Sequence, residues 1–533
     1  MATPTSPPVD QQLFVRKASG LIKGWSSVDG FRYAFFSVNL FLGIWGFSYA
    51  SWVPGGSLFW SIIITTVVVI AGVLVYAGLI AAMPRAGGDY VWQTRIFNSP
   101  VGFILAACGW WFILWQWIPI YASLTVGSFV NPIARIIGWN SLSDWLITKN
   151  GVFISSIAVI IVASLLVAVG MKAYAKFQIW AVIIGMVGFV AMLIILLVTS
   201  KHGFQNAFDR EYLKLYHAKG AYAATEKAGG AGQPTSIFAG SIWQSMKLVP
   251  LMCFWLLWPN WGATLYGEVR GAKDFRKNVY AMGGGLVVAA VIGLIFILLI
   301  GKTMGYHFFM SSQAVQGIYP TTGDYLSPVA MATWIVNVPV LQVILILMMS
   351  LIVLGWWGTV FLSSTRVIFA AAFDRILPEK AAAVTSGGVP WVALLLMAIP
   401  SLIVSAMYAY TTWFARLTYD ATLVIAVTFL GSGLAFMIMP WRTKGIWDSS
   451  ALPKGKVGGI PWMTIVAFIY SAFLVFNLVL WFKDKLYGVN DWKSLIFMGA
   501  LYALAAVIWG VAAIVRRGQG MPLEAVAKEI PVE

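Results

Sequence analysis

Long apolar runs separated by short polar segments dominate this chain. A helix that crosses a lipid bilayer needs about 20 consecutive, mostly apolar residues. Twelve runs reach that length, and they are 33–53, 57–82, 100–130, 151–170, 176–200, 248–266, 279–301, 333–364, 389–409, 417–440, 462–482 and 493–515. The alternating ten-residue pattern typical of membrane β-barrels is not visible. The pattern therefore predicts an all-α integral membrane protein with twelve transmembrane helices, called spans 1 to 12 below.

The composition supports lipid as the solvent for most of the chain. Only 10% of the 533 residues are charged, whereas 60% are hydrophobic. Soluble domains usually carry about 25% charged residues, so too few remain here to cover a surface that faces water. Cys108 and Cys253 both fall inside apolar runs, which predicts small core residues and no disulfide framework.

The distribution of basic residues predicts the orientation of the spans. The net charge is +16, and 22 of the 35 Lys and Arg residues fall in the segments that are inner if the N-terminus is inside. Six of the 13 outer residues lie in the single long loop 201–247. Short inner loops of membrane proteins are enriched in Lys and Arg. We therefore predict a multi-pass protein of the cell membrane with both termini cytoplasmic, and no nucleic-acid partner.

Spans 1 and 6 form a candidate pair of helices with breakers in the middle of the membrane. Span 1 carries Gly43 and Gly46, and span 6, five spans later, carries Pro259 beside Asn260. Proline cannot donate a backbone hydrogen bond, so a carbonyl one turn earlier, near Trp255, is expected to be free. Interrupted helices in matching positions of two halves indicate the binding site of a secondary transporter. The alternative is that the glycines are packing notches and the proline a simple kink.

Charged residues near the ends of the spans are candidates for a gate or for ion coupling. Asp420 at the outer edge of span 10 is a candidate for binding a proton or a substrate amine, because carboxylates near a membrane pathway are usually functional. The adjacent Arg416 favours an interfacial ion pair instead. At the inner ends, Glu268 and Asp89 are predicted either to be ordinary loop charges or to form an inner gate. Their candidate partners in that gate are Arg85 and Arg366.

Three inner segments carry a resemblance to a known family. They are 82–90 (AMPRAGGDY), 266–272 (YGEVRGA) and 366–378 (RVIFAAAFDRILP). Their order and placement resemble the amino acid–polyamine–organocation transporter family. This resemblance implies a LeuT-like five-plus-five inverted repeat with discontinuous helices 1 and 6. It also implies secondary active transport of amino acids or related small amines by alternating access.

The resemblance also assigns a substrate site. On matching positions, the implied substrate-binding residues are Gly43, Ile44, Trp45 and Gly46 in span 1, and Trp255, Trp258, Pro259 and Asn260 in span 6. Trp111 and Trp115 in span 3 share one helix face and are predicted either to wall the substrate or to pack in the core. This chain departs from the family where bulky Ile44 and Trp45 separate the glycines of span 1. A coupling proton or sodium ion is possible, but the positions used by relatives hold Gly185, Gly355 and Trp356.

The organisation along the chain follows from these assignments. The predicted parts are a cytoplasmic N-terminal tail at 1–30, a transport core of spans 1–10 at 31–440 containing the extracellular loop 201–247, spans 11 and 12 at 441–515, and a cytoplasmic C-terminal tail at 516–533. The loop combines charged residues with the run 228–232 (AGGAG), which predicts a short surface helix and a flexible arm.

Other function classes fit the sequence less well. An embedded enzyme is not supported, because the three histidines, His202, His217 and His307, all fall outside the predicted spans. No cofactor and no metal site are predicted. A channel needs a filter of repeated carbonyls or charged rings, which a single chain of this type lacks. A carrier of a different solute, such as a polyamine, a nucleobase or an inorganic ion, remains the main alternative.

Overall fold

The computed structural model of the protein describes residues 24–315, 327–385 and 388–526. Twelve helical segments in these residues are long and apolar enough to cross a membrane, which confirms the predicted all-α membrane architecture. They are Ser27–Trp52, Leu58–Ala82, Ser99–Ile136, Lys149–Ala168, Met171–Val198, Ile242–Glu268, Phe275–Ala314, Pro339–Phe373, Trp391–Tyr410, Thr418–Arg442, Trp462–Lys483 and Trp492–Gly518. Below, inner and outer denote the ends that the sequence assigns to the cytoplasm and to the exterior.

Shorter elements connect the spans. The connecting α-helices are Asp89–Ile96, Asn140–Leu146, Lys201–Tyr216, Ala221–Gly229, Pro328–Thr333, Lys444–Ser449 and Leu523–Val526. Single 3-10 turns are Glu379–Ala382, Phe414–Leu417 and Lys485–Tyr487. One antiparallel hairpin pairs β1 (Lys456–Val457) with β2 (Ile460–Pro461) before span 11. The loop 201–247 thus holds two helices, whereas the sequence predicted one. Residues 1–23 and 527–533 of the predicted tails lie outside the described residues.

Several spans contain local changes of helix type. Span 3 consists of Ser99–Ala107, a π turn at Cys108–Phe112, Leu114–Thr125, a second π turn at Val126–Val130, and Asn131–Ile136. Span 7 runs through Phe275–Ile300, a π turn at Gly301–Gly305 and the helix Tyr306–Ala314. Because a π turn holds extra residues, it shifts the phase of the side chains that follow.

Span 1 is interrupted at Asn39. The helix Ser27–Val38 ends there, a second helix Leu40–Gly46 follows, and the 3-10 segment Phe47–Trp52 completes the span. Asn39 has a φ of 44°, and its side-chain oxygen accepts from the N–H groups of Phe41 (2.9 Å) and Leu42 (3.3 Å). Asparagine tolerates a positive φ and is among the best N-cap residues. The interruption therefore lies four residues before Gly43, and the 43–46 segment is helical.

Span 6 is interrupted around Pro259. The helix Ile242–Leu256 stops, and the chain resumes as the 3-10 segment Trp261–Glu268. The indole N–H of Trp258 donates to the carbonyl of Phe254 at 2.7 Å, so a side chain replaces the backbone donor that a continuous helix would supply. The sequence predicts a free carbonyl near Trp255, and it does not predict this indole contact.

The two interruptions lie side by side. The second helix of span 1, Leu40–Gly46, packs against the first helix of span 6, Ile242–Leu256. The first helix of span 1, Ser27–Val38, packs against the last segment of span 6, Trp261–Glu268. The outer half of span 1 therefore packs against the outer half of span 6, and the two inner halves pack against each other. This places both breaks at the same level of the bundle.

The capping role of Asn39 gives a first prediction. Asn39→Ala removes the side-chain acceptor and forces alanine into a positive φ, so we expect it to lower the free energy of unfolding by about 1–2 kcal/mol. Asn39→Gly removes the acceptor but keeps the backbone conformation available, and we expect a smaller loss. Thermal unfolding of the purified protein in detergent, followed by circular dichroism, measures both variants. A loss for alanine no larger than that for glycine contradicts this account of the break.

Candidate functional site

Aromatic side chains from span 3 fill the space beside the break in span 6. The ring of Trp117 stacks on Phe254, with centroids 5.4 Å apart and planes at 22°. Trp117 also meets the edge of Trp258 at 5.8 Å. Further in, Trp258 meets Trp261 at 5.5 Å, and Trp261 meets Trp110 at 4.8 Å. The rings form a continuous column along the interrupted helix.

The tryptophans of span 3 that reach this column differ from those the sequence selected. Trp111 and Trp115 do lie together, with ring centroids 6.3 Å apart. However, the indole N–H of Trp111 donates to the Leu396 carbonyl of span 9, and Trp115 packs against a cluster that contains Phe414. For Trp111 and Trp115 these contacts favour the alternative of core packing over a substrate wall. Helical spacing predicts the face that these two residues share, but not the neighbour that this face contacts.

Gly43 and Trp255 are packing partners. The Trp255 ring is fully buried, and a methyl group added at Gly43 of span 1 or at Gly293 of span 7 would overlap it. The two glycines therefore form a slot that admits the ring between spans 1, 6 and 7. At Gly43 the structure supports the alternative of a packing notch.

Space is available three residues further along span 1, at Gly46. No heavy atom lies within 4 Å of a Cβ built at Gly46. Trp45 is half-buried, and its ring lies 5.4 Å from Tyr49 and 5.6 Å from Phe254. Ile44, by contrast, is buried. Of the four span 1 candidates, Trp45 and Gly46 are the two that border open space.

Buried polar atoms without a protein partner occur at both breaks. The side-chain N–H₂ groups of Asn39 and Asn260 are buried and have no hydrogen-bond partner among the described residues. The same holds for the indole N–H of Trp117 in the aromatic column. All three groups are hydrogen-bond donors only. Since buried polar groups are normally paired, a ligand that supplies acceptors fits them best. Asn39 was missed in the choice of site residues, although an asparagine inside an apolar run was a visible signal.

Two bidentate ion pairs hold the inner end of the bundle together. Arg366 of span 8 donates from Nε and Nη2 to Glu268 at the end of span 6, at 2.7 and 3.1 Å. The two side chains are only 1% and 2% exposed. Arg95 in the helix after span 2 donates to both oxygens of Asp374 at 2.5 and 2.9 Å, and the Tyr90 hydroxyl donates to the same carboxylate. The second pair was not predicted, although both residues lie in or next to the motif segments.

Asp89 is held differently from these paired carboxylates. It is fully buried and accepts from the Tyr76 hydroxyl (2.6 Å), the Ser432 hydroxyl (2.5 Å) and the Trp110 indole (2.9 Å). Arg85 instead donates to the Pro84 carbonyl. Of the pairings predicted for an inner gate, the structure therefore makes the one between Glu268 and Arg366. Burial raises the pKa of Asp89 to about 6, although its hydrogen bonds act in the opposite direction.

Asp420 is buried at the outer end of span 10. One of its oxygens accepts from the Ser494 hydroxyl of span 12 at 2.6 Å, and the other oxygen has no partner among the described residues. The predicted partner Arg416 has a side chain outside the described residues. The contact with Ser494 joins span 10 to span 12.

Comparison with known proteins gives one family match. A family model described as amino acid permease matches residues 28–509. The matched region begins in the first turn of span 1 and ends inside span 12, so it includes all three motif segments. This confirms the resemblance drawn from those segments. No curated protein matches the chain.

The buried pair between Glu268 and Arg366 generates a second prediction. Arg366→Met leaves Glu268 buried without its partner, and we expect a loss of about 3–5 kcal/mol in the free energy of unfolding. The double variant Glu268→Gln, Arg366→Met removes both charges and should lose clearly less. Unfolding of the single and double variants in detergent gives the coupling between the two sites. Additive losses would contradict a direct interaction between these side chains.

Proposed function

The chain belongs to the amino acid permease family, and from this premise we propose that it is a secondary active transporter that carries amino acids or related small amines by alternating access. The observation that supports this most is the pair of neighbouring interruptions in spans 1 and 6. Interrupted helices at the middle of the membrane are how many secondary transporters expose backbone groups to a substrate. The cell membrane and cytoplasmic termini are part of the same proposal.

The groups at the two breaks suit a zwitterion. Donors on Asn39 and Asn260 are available for a carboxylate. Pro259 cannot donate to the Trp255 carbonyl one turn earlier, and a substrate ammonium is a suitable donor for that oxygen. The half-buried Trp45 ring offers its face to the same cation. A small amino acid has both charged ends, so it satisfies donors and acceptors together.

Alternating access requires one end of the pathway to be closed while the other opens. The inner end is held by the Glu268–Arg366 pair, which joins spans 6 and 8, and by the Arg95–Asp374 pair. We propose that these two ion pairs are the inner gate and that they separate when the inner end opens. Span 6 contributes both a break and a gate residue, so movement of its last segment links the substrate site to the gate.

Among other solutes, a diamine such as a polyamine is the main alternative. Two cationic ends need two acceptor sites, and the unpartnered side-chain groups of Asn39, Asn260 and Trp117 are donors. The buried carboxylates Asp89 and Asp420 lie toward opposite ends of the bundle, so neither supplies that second acceptor beside the breaks. This arrangement favours an amino acid over a polyamine.

Counterflow tests the proposed function. The purified protein is reconstituted in proteoliposomes that are loaded with single amino acids or with putrescine, with and without sodium. We expect saturable counterflow with at least one zwitterionic amino acid, because a carrier exchanges bound solute across the membrane. Counterflow of putrescine with none of the amino acids would defeat the proposed substrate class, and non-saturable flux would indicate a channel.

Asn260 is predicted to contribute to substrate affinity. Asn260→Ala removes a buried donor at the break, and we expect an approximately tenfold weaker apparent affinity for the amino acid found by counterflow, since a hydrogen bond to a charged group contributes about 1.5–3 kcal/mol. The matched control is Asn206→Ala on the exposed helix of the 201–247 loop. Unchanged affinity in a folded Asn260→Ala protein would remove this residue from the site.

Gly46 is predicted to border the substrate. Gly46→Leu places a side chain in the space where an added Cβ meets no atom within 4 Å. We expect a folded protein with transport reduced at least tenfold, because an ill-fitting side chain in a pocket excludes the ligand. Gly499→Leu in span 12 is the control, since a Cβ there also meets no atom within 4 Å. Equal transport by both variants would place the substrate elsewhere.

A further inference from the structure

Asp89 is a buried carboxylate whose hydrogen-bond partners are all neutral. It begins the helix Asp89–Ile96 after span 2, and its side chain is fully buried. Its donors come from three different spans, namely Tyr76 of span 2, Trp110 of span 3 and Ser432 of span 10. An ionised group in such a position usually pairs with a cation or binds a proton. None of these three donors to the Asp89 side chain is a cation.

The charged groups nearby are engaged elsewhere. The helix Asp89–Ile96 packs against the start of span 3 and against spans 8 and 10. Span 8 contributes Arg366 and Asp374. Arg366 forms its bidentate ion pair with Glu268, and Asp374 forms one with Arg95. Span 10 contributes Arg442, which donates to the Phe97 carbonyl. The other titratable groups that the charge of Asp89 reaches are the tyrosines Tyr76 and Tyr470, which are neutral.

The hydrogen-bond pattern fits the ionised form, because both oxygens of the carboxylate accept. One oxygen of Asp89 accepts from Tyr76 and Ser432, and the other accepts from Trp110. An indole N–H can only donate. A bound proton removes the negative charge of the carboxylate, and a hydrogen bond to a neutral carboxyl group is weaker than one to a carboxylate. Proton binding therefore weakens the contact between Asp89 and Trp110.

Trp110 connects this carboxylate to the interrupted part of span 6. Its ring lies edge-on to Trp261 at 4.8 Å, and Trp261 is the first residue of the 3-10 segment Trp261–Glu268. The indole N–H of Trp261 reaches the Thr359 carbonyl of span 8 at 3.3 Å. The segment ends at Glu268, which holds Arg366. A change at Asp89 thus has a short physical route to the inner end of span 6.

We propose that Asp89 is a proton-binding site, and that a proton taken up there from the inner water phase releases Trp110 and loosens the inner segment of span 6. The proton site itself follows from the carboxylate and its donors, and only its consequence for transport rests on the proposed function. Because the pKa of Asp89 is raised by burial to about 6, the protonated fraction grows as the pH falls through that value. Acidic conditions on the inner side would then favour the loosened form.

Infrared difference spectroscopy tests the site without any substrate. The full protein in lipid is titrated from pH 8 to pH 4, and the carbonyl stretch of a protonated carboxylic acid is followed. We expect a component with a midpoint near pH 6 that is absent from Asp89→Asn and retained in Asp144→Asn, a control at an exposed carboxylate. A titration identical in wild type and Asp89→Asn would overturn the proposal.

The Trp110 contact is tested by the same titration. Trp110→Phe keeps an aromatic ring but removes a donor that stabilises the carboxylate, so the midpoint should rise by about one pH unit. Tyr76→Phe removes a different donor and should raise it as well. These variants also preserve the test if Asp89→Asn fails to fold. Midpoints that do not move would show that these donors do not control the proton.

Hydrogen exchange tests the link to span 6. Asn at position 89 mimics the neutral form, so Asp89→Asn and wild type are compared at one neutral pH, where intrinsic exchange rates are equal. We expect the amides of Trp261–Glu268 to exchange at least fivefold faster in Asp89→Asn than in wild type. In Asp144→Asn we expect their exchange rates to be unchanged. Unchanged exchange in this segment would overturn the proposed release. Failure of counterflow with every amino acid, by contrast, would leave these results intact.

Discussion

The interior of a bilayer offers no water to unpaired peptide groups, and this constraint explains how the helix breaks in spans 1 and 6 are built. An open backbone is tolerated at that depth only where protein surrounds it or it lines a cavity. The two breaks lie beside each other inside the bundle, and local side chains satisfy much of their backbone. Asn39 caps the second helix of span 1, and the Trp258 indole takes the Phe254 carbonyl. What remains unpaired is a small set of donors at the point where we propose that substrate binds.

The same low dielectric governs the charges at the inner end. A buried ion is costly unless it is paired and hydrogen-bonded. Glu268 with Arg366, and Arg95 with Asp374, follow that rule with bidentate geometry. Asp89 does not, because its three donors are neutral. An ion pair opens when its two side chains move apart, whereas a carboxylate without a cationic partner can bind a proton. The inner end thus holds two kinds of group, namely ion pairs that can form a gate and a carboxylate that can control it. In this arrangement the gate and its control are different side chains.

Aromatic packing joins the centre of the molecule to that inner end. A row of four rings runs from the break of span 6 to the carboxylate of Asp89. Each ring contacts the next, in the order Trp117, Trp258, Trp261 and Trp110. Packed rings transmit displacement because protein interiors hold few voids that could absorb it. Gly43 of span 1 and Gly293 of span 7 also belong to this packing, because the absence of their side chains leaves room for the Trp255 ring of span 6. Small and large residues in spans 1, 6 and 7 are therefore complementary parts of one contact.

The amino-acid sequence by itself determined the twelve spans, the helical class and the family, because apolar length and contiguous motifs are local properties of the chain. It also indicated span 6 as a site of interruption, since the effect of Pro259 on a helix is local. Only the tertiary structure decided that span 1 breaks at Asn39, that Trp110 and Trp117 reach span 6 while Trp111 and Trp115 face away, and that Glu268 rather than Asp89 holds the arginine. Those outcomes depend on which helix lies opposite each face and on phase shifts from π turns, and neither is encoded in the spacing of residues along a single span.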